Sequence, residues 1–195
     1  MRRWLPLLVM LMGGLCFGQG AWLEAKAWLA QVLIGHAWAE TRAGQVRVAP
    51  WAWADTWPVA RLQVPRLGVE RIVLAGVSGR TLAFGPGWSQ QTALPGGEGR
   101  TLIAGHRDTH FRFLQSLVTG DRLQLQTAEG REIVYRVVET AVVNQQAGWL
   151  MSPGDQRELL LVTCYPFDAL QPGGDLRYLV RAEAEGVFPG GGKSG

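Results

Sequence analysis

The chain has 195 residues, which is long enough for one domain with a buried core and further segments at its ends. Its formal net charge of +3 comes mostly from arginine, because Lys26 and Lys193 are the two lysines in the sequence. No dense run of basic residues occurs, although a nucleic-acid-binding face requires one, and we therefore expect no nucleic-acid partner.

Residues 1–23 have the pattern of a transmembrane signal anchor. An arginine pair precedes residues 4–23, in which Gln19 is the one clearly polar side chain. About 20 apolar residues cross the hydrocarbon core of a bilayer, and the positive-inside rule keeps the arginines in the cytoplasm. This predicts a single-pass protein of the cytoplasmic membrane with its main domain on the outer side. The alternative is a cleavable signal peptide with its apolar region at 5–17, which would export the same domain.

Residues 24–57 are predicted to be a juxtamembrane helix and a linker. Apolar residues recur at helical spacing over 21–40, and several of them are tryptophans, which favour the membrane–water interface. The proline- and tryptophan-containing segment 50–53 then leads into a soluble domain.

The soluble domain is predicted to be mainly β, because short strands are separated by glycine and proline turns. One helix is expected at 109–117, where Phe111, Leu114 and Leu117 share a face. Residues 185–195 are expected to form a flexible tail. The predicted strands lie at 59–64, 69–74, 101–104, 122–127, 131–143, 158–164 and 176–183.

Cys164 is the residue that points most directly to chemistry. It ends the apolar strand at 158–164, and the loop that follows contains a proline, which places the thiol near the rim of the domain. The other cysteine, Cys16, lies in the apolar N-terminal segment, so an exported Cys164 lacks an intramolecular disulfide partner. Such a thiol forms an intermolecular bridge or is reactive. The alternative is a small buried apolar side chain.

Two further residues supply the other groups that covalent acyl transfer requires. His106 follows the strand at 101–104 through a glycine, a position that suits a functional loop and equally a structural histidine. Arg177 begins the strand after Cys164, and antiparallel pairing of these two strands would bring it close to the thiol. A thiolate nucleophile, a histidine that moves protons and a permanently charged arginine at the oxyanion form a plausible acyl-transfer site.

The segments TLIAGHR at 101–107 and LLVTC at 160–164, followed by Arg177, resemble the sortase family. Sortases typically have a histidine after a strand, a Thr-Leu-x-Thr-Cys strand end and an arginine on the next strand. Leu160 replaces the first threonine of that pattern, which should affect strand packing more than chemistry. The stretches at 53–62, 105–111 and 162–170 resemble the Gram-negative branch, class GN of marine proteobacterial type.

The resemblance implies a closed β-barrel of about eight strands with one or two short helices over residues 58–184. Cys164 would attack the Thr–Gly carbonyl of an LPXTG-like C-terminal sorting signal on an exported protein. His106 would be the general acid and base, and Arg177 would hold the oxyanion or the substrate backbone. Thr163 would help to form the substrate-binding site. An amine acceptor at the cell surface would resolve the thioester, without a metal or organic cofactor.

Three alternatives to this interpretation stay open at the level of the sequence. A hydrolytic cysteine peptidase would use the same thioester and release it to water. A non-enzymatic, membrane-tethered β domain that binds a partner would bury the thiol. His106 and His110 are four residues apart, which also suits a metal pair, but no acidic or cysteine ligand accompanies them. Asp108 and Asp168 flank the proposed catalytic residues and are expected to be solvated.

Overall fold

The computed structural model describes residues 5–146, 156–169 and 174–188. Two 3-10 helices, Pro65–Leu67 and Arg112–Ser116, occur besides the elements given next. In chain order the other elements are α1 (Leu5–Arg42), β1 (Pro58–Val64), β2 (Val69–Ala75), α2 (Gly79–Leu82), β3 (Gly87–Trp88), β4 (Arg100–Ala104), β5 (Arg122–Thr127), β6 (Glu132–Asn144), β7 (Glu158–Cys164) and β8 (Leu176–Phe188).

The strands form a closed barrel in the order β1-β2-β3-β4-β7-β8-β6-β5. The pairs β2/β3 and β4/β7 are parallel, and the other pairs are antiparallel. The predicted eight-stranded barrel is therefore confirmed. β5 and β7 have the predicted bounds, while β8 continues to Phe188, beyond the expected domain end at 184. β3 was not predicted, because two residues are too few to show a periodic pattern.

The strand β7 is buried on both of its faces. Leu159 and Leu161 belong to the main core inside the barrel. Leu160 and Val162 point to the opposite face, because side chains alternate along a strand, and they form a second apolar cluster with neighbouring strands. Leu160 is fully buried in that cluster, so the substitution of threonine by leucine at this position concerns packing, as the sequence predicted.

The segment 109–117 contains a 3-10 helix, Arg112–Ser116, where the sequence predicted a longer helix. Backbone hydrogen bonds join Leu114 N to Phe111 O and Leu117 N to Leu114 O, each at 3.1 Å. The three apolar residues are buried, as expected. Their strict spacing of three residues matches the period of a 3-10 helix, in which side chains at i and i+3 lie directly above one another.

Helix α1 is continuous across the predicted boundary between anchor and juxtamembrane segment, and its second half packs on β1 and β2. The packed face carries residues at helical spacing that are buried: Ala30, Ile34, Ala37, Trp38 and Thr41. Near the ends of this face, Gln31 donates a hydrogen bond to Phe84 O at 2.8 Å, and Arg42 donates one to Ala128 O at 3.1 Å.

Across the described part of the chain, no helix combines the length and the apolar character that crossing a membrane requires. The signal anchor at residues 1–23 stays a prediction, and residues 1–4 lie outside the described ranges. Residues 189–195 of the expected flexible tail also lie outside them.

Candidate active site

The three predicted catalytic residues lie at one end of the barrel: Cys164 ends β7, Arg177 lies on β8, and His106 follows β4 by two residues. β7 lies between β4 and β8. Cys164 ends β7 directly opposite Arg177 on β8, and side chains at such paired positions point to the same face of the sheet. On the other side, Ala104 pairs with Val162, and Gly105 N donates to Val162 O at 3.1 Å. His106, the next residue, therefore lies beside the end of β7.

Cys164 is a free cysteine whose side chain is partly exposed. A purely structural cysteine would be expected to be fully buried, as its neighbours on β7 are. Cys164 lies at the point where the buried strand ends and a partly exposed loop begins.

Tight packing of one glycine against an aromatic ring positions the loop that carries His106. A Cβ atom at Gly105 would lie 2.7 Å from the ring of Phe111, which is fully buried. Phe111 N also donates to His106 O at 3.0 Å. The loop thus turns back on the ring, and the His106 side chain is exposed. A larger residue at position 105 would clash with the ring and prevent this close turn.

Thr163 connects the nucleophile strand to the histidine loop. Its side chain is buried, and its hydroxyl donates a hydrogen bond to Gly105 O at 2.7 Å. This bond fixes the residue before Cys164 to the residue before His106. The substrate-binding role of Thr163 stays a prediction, because the hydroxyl is engaged within the protein.

Arg177 is held by the loop that precedes it and by the end of β6. Its guanidinium donates to Gly174 O at 2.6 Å and to Leu176 O at 2.9 Å, and it also donates to the Gln145 side-chain oxygen. The Gln145 side-chain nitrogen in turn donates to Asp175 at 2.9 Å. Gln145 was not predicted as a site residue, because its position depends on the register between β6 and β8, which the sequence does not reveal.

Arg107 was also missed, although it directly follows His106. The structure buries its guanidinium between Asp108 and the loop after Cys164. Pairing with Asp108 raises the pKa of Arg107, against the opposing effect of burial, and lowers the pKa of Asp108. The expectation of a merely solvated Asp108 is therefore incomplete, since this carboxylate is exposed and also ion-paired. Asp168 is exposed, as expected.

His110 is half-buried. Burial lowers its pKa below the ordinary value, and the positive charges of Arg71 and His106 act in the same direction. Within the described ranges, no three His, Cys, Asp or Glu side chains are grouped as a metal site would require.

The chain is similar in sequence and in fold to known proteins. The sortase-domain family model matches residues 62–185. Sortase D of Bacillus subtilis (strain 168) is 33% identical over 107 residues, which is 54% of this chain and 54% of that protein. The chain thus spans about half the length of the curated relative that it matches.

Two solved structures have the same fold. The first is a Clostridium perfringens sortase D5 transpeptidase, with 27% identity, a TM-score of 0.58 and coverage of 66% of this chain and 79% of that chain. The second is the catalytic domain of SrtD from B. anthracis, with 30% identity, a TM-score of 0.58 and coverage of 67% and 89%. Because the sortase-domain match extends over more than half of the sequence and includes all three predicted catalytic positions, the chain belongs to the sortase family.

Proposed function

We propose that this protein is a cysteine transpeptidase that cleaves an LPXTG-like C-terminal sorting signal of an exported protein and transfers it to an amine at the cell surface. The observation that carries the proposal is the position of Cys164, at the end of β7 between the strand that leads to His106 and the strand on which Arg177 is paired with Cys164. A thiol nucleophile, a proton donor and acceptor, and a fixed cation are the groups that acyl transfer through a thioester requires.

In the proposed reaction, the Cys164 thiolate attacks the carbonyl carbon of the Thr–Gly bond, and the carbonyl oxygen takes up the negative charge. Arg177, whose terminal nitrogens also bind Gly174, Leu176 and Gln145, offers its remaining N–H donors and its permanent charge to that oxygen or to the substrate backbone. His106 protonates the leaving amine as the C–N bond breaks, which leaves a thioester on Cys164. His106 then accepts a proton from the incoming amine, which attacks the thioester, forms a new amide bond and releases Cys164 as the thiolate.

The face of β7 that carries the thiol is lined by buried apolar side chains, a chemical character that suits a substrate with apolar residues before the cleaved bond. Val162 lies two residues before Cys164 and therefore on the same face of β7. It packs in the outer apolar cluster with Leu179, and the partly buried Ala104 and Val143 extend that cluster. The leucine and proline of an LPXTG-like signal have the matching chemical character.

We further propose that residues 1–23 anchor the protein in the cytoplasmic membrane, with the barrel on the outer side. Support comes from the arginine pair and the apolar sequence that follows it. The assignment to the Gram-negative branch is supported by the stretches at 53–62, 105–111 and 162–170, whereas the relatives named above are sortases D and D5. The proposed chemistry needs no metal or organic cofactor.

The central test is to trap the thioester on the full-length chain. The wild-type protein and Cys164→Ala are incubated with an LPXTG-type peptide and analysed by intact mass. We expect the wild type to gain the mass of the N-terminal peptide fragment, and Cys164→Ala to gain nothing while keeping its circular dichroism spectrum. A folded wild-type protein whose thiol neither acylates nor reacts with a small alkylating reagent would favour the non-enzymatic binding module.

The same reaction with and without an added glycine peptide separates transfer from hydrolysis. We expect the amine to increase turnover and to appear in the product through a new amide bond. Release of the free acid at a rate that the amine leaves unchanged would identify a hydrolytic peptidase.

A further inference from the structure

The guanidinium of Arg107 joins the loop that carries His106 to the loop that follows Cys164. Two of its nitrogens bind the Asp108 carboxylate, at 2.7 and 3.0 Å. The terminal nitrogens also donate to the backbone carbonyls of Pro166 and Ala169, the latter at 2.9 Å. These carbonyls lie 59 and 62 residues further along the chain. One side chain thus connects the two segments whose relative position decides whether the thiol and the imidazole can cooperate.

The surroundings of Arg107 differ from those of an ordinary surface arginine. It is 7% exposed, whereas the side chain of its partner Asp108 is 63% exposed. Burying a guanidinium is costly unless its charge and its donors are satisfied. The carboxylate offsets the charge, and the two carbonyls use donors that would otherwise be buried without a partner. Four directed bonds from one planar group also define a geometry that a lysine ammonium does not reproduce.

Arg107 also contacts the chain close to the nucleophile, because it binds the carbonyl of Pro166, two residues after Cys164. Its pKa is raised chiefly by the hydrogen bond to Asp108, against burial, and the charges of Cys164 and Asp168 raise it further. The pKa of Asp108 is lowered chiefly by its hydrogen bond to Arg107, and the nearby Arg107, Arg112 and His106 charges act in the same direction. The buried cation directly follows His106 and binds the loop that begins after Cys164, and its donors are directed at Asp108 and at the loop backbone.

We propose that Arg107 is a positioning residue for the acyl-transfer reaction, which holds the loop after Cys164 against the His106 loop and so sets the approach of the thiol to the imidazole. The inference rests on the proposed function of this site. A displacement of reacting groups by about 1 Å can lower a rate by about 10²-fold, so loss of this clamp should reduce kcat and leave substrate binding nearly unchanged.

The experiment compares variants of the full-length chain in cleavage of an LPXTG-type peptide at saturating amine. We expect Arg107→Gln to lower kcat by about 10²-fold, with KM within about threefold of wild type. Arg107→Lys keeps the charge but lacks the fork, and we expect its kcat to stay within about threefold of that of Arg107→Gln. Arg112→Gln removes the same charge from an exposed position at the start of the 3-10 helix that follows this loop and is the matched control.

Asp108→Ala keeps the test decisive if Arg107→Gln fails to fold. Asp108 is exposed, so its truncation should preserve the fold while it frees one side of the guanidinium, and we expect a loss in kcat of about tenfold. Thermal unfolding followed by circular dichroism gives the folded fraction of each variant.

Three results would overturn the inference. The first is a kcat of folded Arg107→Gln that equals the Arg112→Gln value; where Arg107→Gln is unfolded, the kcat of Asp108→Ala is compared instead. The second is a loss of activity that is confined to KM. The third is full activity of Arg107→Lys. A wild-type chain that forms no acyl-enzyme would instead remove the proposed function itself.

Discussion

Replacing Thr163 by valine removes one hydroxyl from the centre of the site and tests how the strand carrying the nucleophile is fixed to the histidine loop. The hydroxyl is buried and donates to Gly105 O at 2.7 Å. Valine puts a methyl group in its place, so a buried hydrogen bond is lost. The typical cost is about 1–2 kcal/mol. Thr163→Ser keeps the hydroxyl and loses one methyl group, which costs about 0.8 kcal/mol in burial.

The measurement is urea unfolding of the full-length chain, followed by circular dichroism, together with kcat and KM for an LPXTG-type peptide. We expect Thr163→Val to lower the unfolding midpoint at an unchanged slope and to reduce kcat about tenfold or less, with KM within about twofold of wild type. Thr163→Ser should retain kcat. If Thr163→Val is as stable as the wild type and raises KM tenfold or more, then the hydroxyl binds substrate and the argument is refuted.

Three further outcomes follow from the geometry. Gly105→Ala should lower the free energy of unfolding by about 1–3 kcal/mol, measured by thermal unfolding, because its Cβ would lie 2.7 Å from the Phe111 ring. Gly79→Ala is the control and should be nearly neutral, because its Cβ would meet nothing within 4 Å. Because the pKa of His110 is lowered in the folded state, the unfolded chain binds more protons as pH falls through 6.5, and stability should fall with it. His110→Gln should therefore lose less Tm between pH 7 and pH 5 than the wild type, and equal slopes would contradict this assignment. Arg177→Lys should lose most of its turnover, because lysine lacks the planar fork, and near wild-type kcat would exclude Arg177 from the site.

The barrel could be predicted from the sequence because its strands carry their own signals. β5 alternates apolar and polar residues, β7 is an apolar run, and glycine or proline separates most strands. β3 carries no such signal, since two residues held by β2 and β4 gain their conformation from pairing alone. The 3-10 geometry of Arg112–Ser116 escaped prediction because a spacing of three residues also fits an α-helix.

The candidate site likewise has residues whose position could be predicted from the sequence and residues whose position could not. Cys164, His106 and Arg177 could be identified because each lies at a strand boundary, and the register of β7 with its neighbours places them side by side. Arg107 and Gln145 act through contacts with loops that are distant in sequence, at separations of 59–62 and 30–32 residues. No local pattern encodes such contacts, so only the folded chain reveals them.

The burial of β7 on both faces has a consequence for how this protein loses activity. A strand that is paired on both sides and packed against apolar residues on both faces exposes its amides only when the whole structure unfolds. We therefore expect the β7 amides to be among the slowest to exchange in native-state hydrogen exchange. Cys164 is attached to the end of that strand. The backbone that bears the thiol should therefore keep its place up to global unfolding, and inactivation by local opening should begin in the surrounding loops.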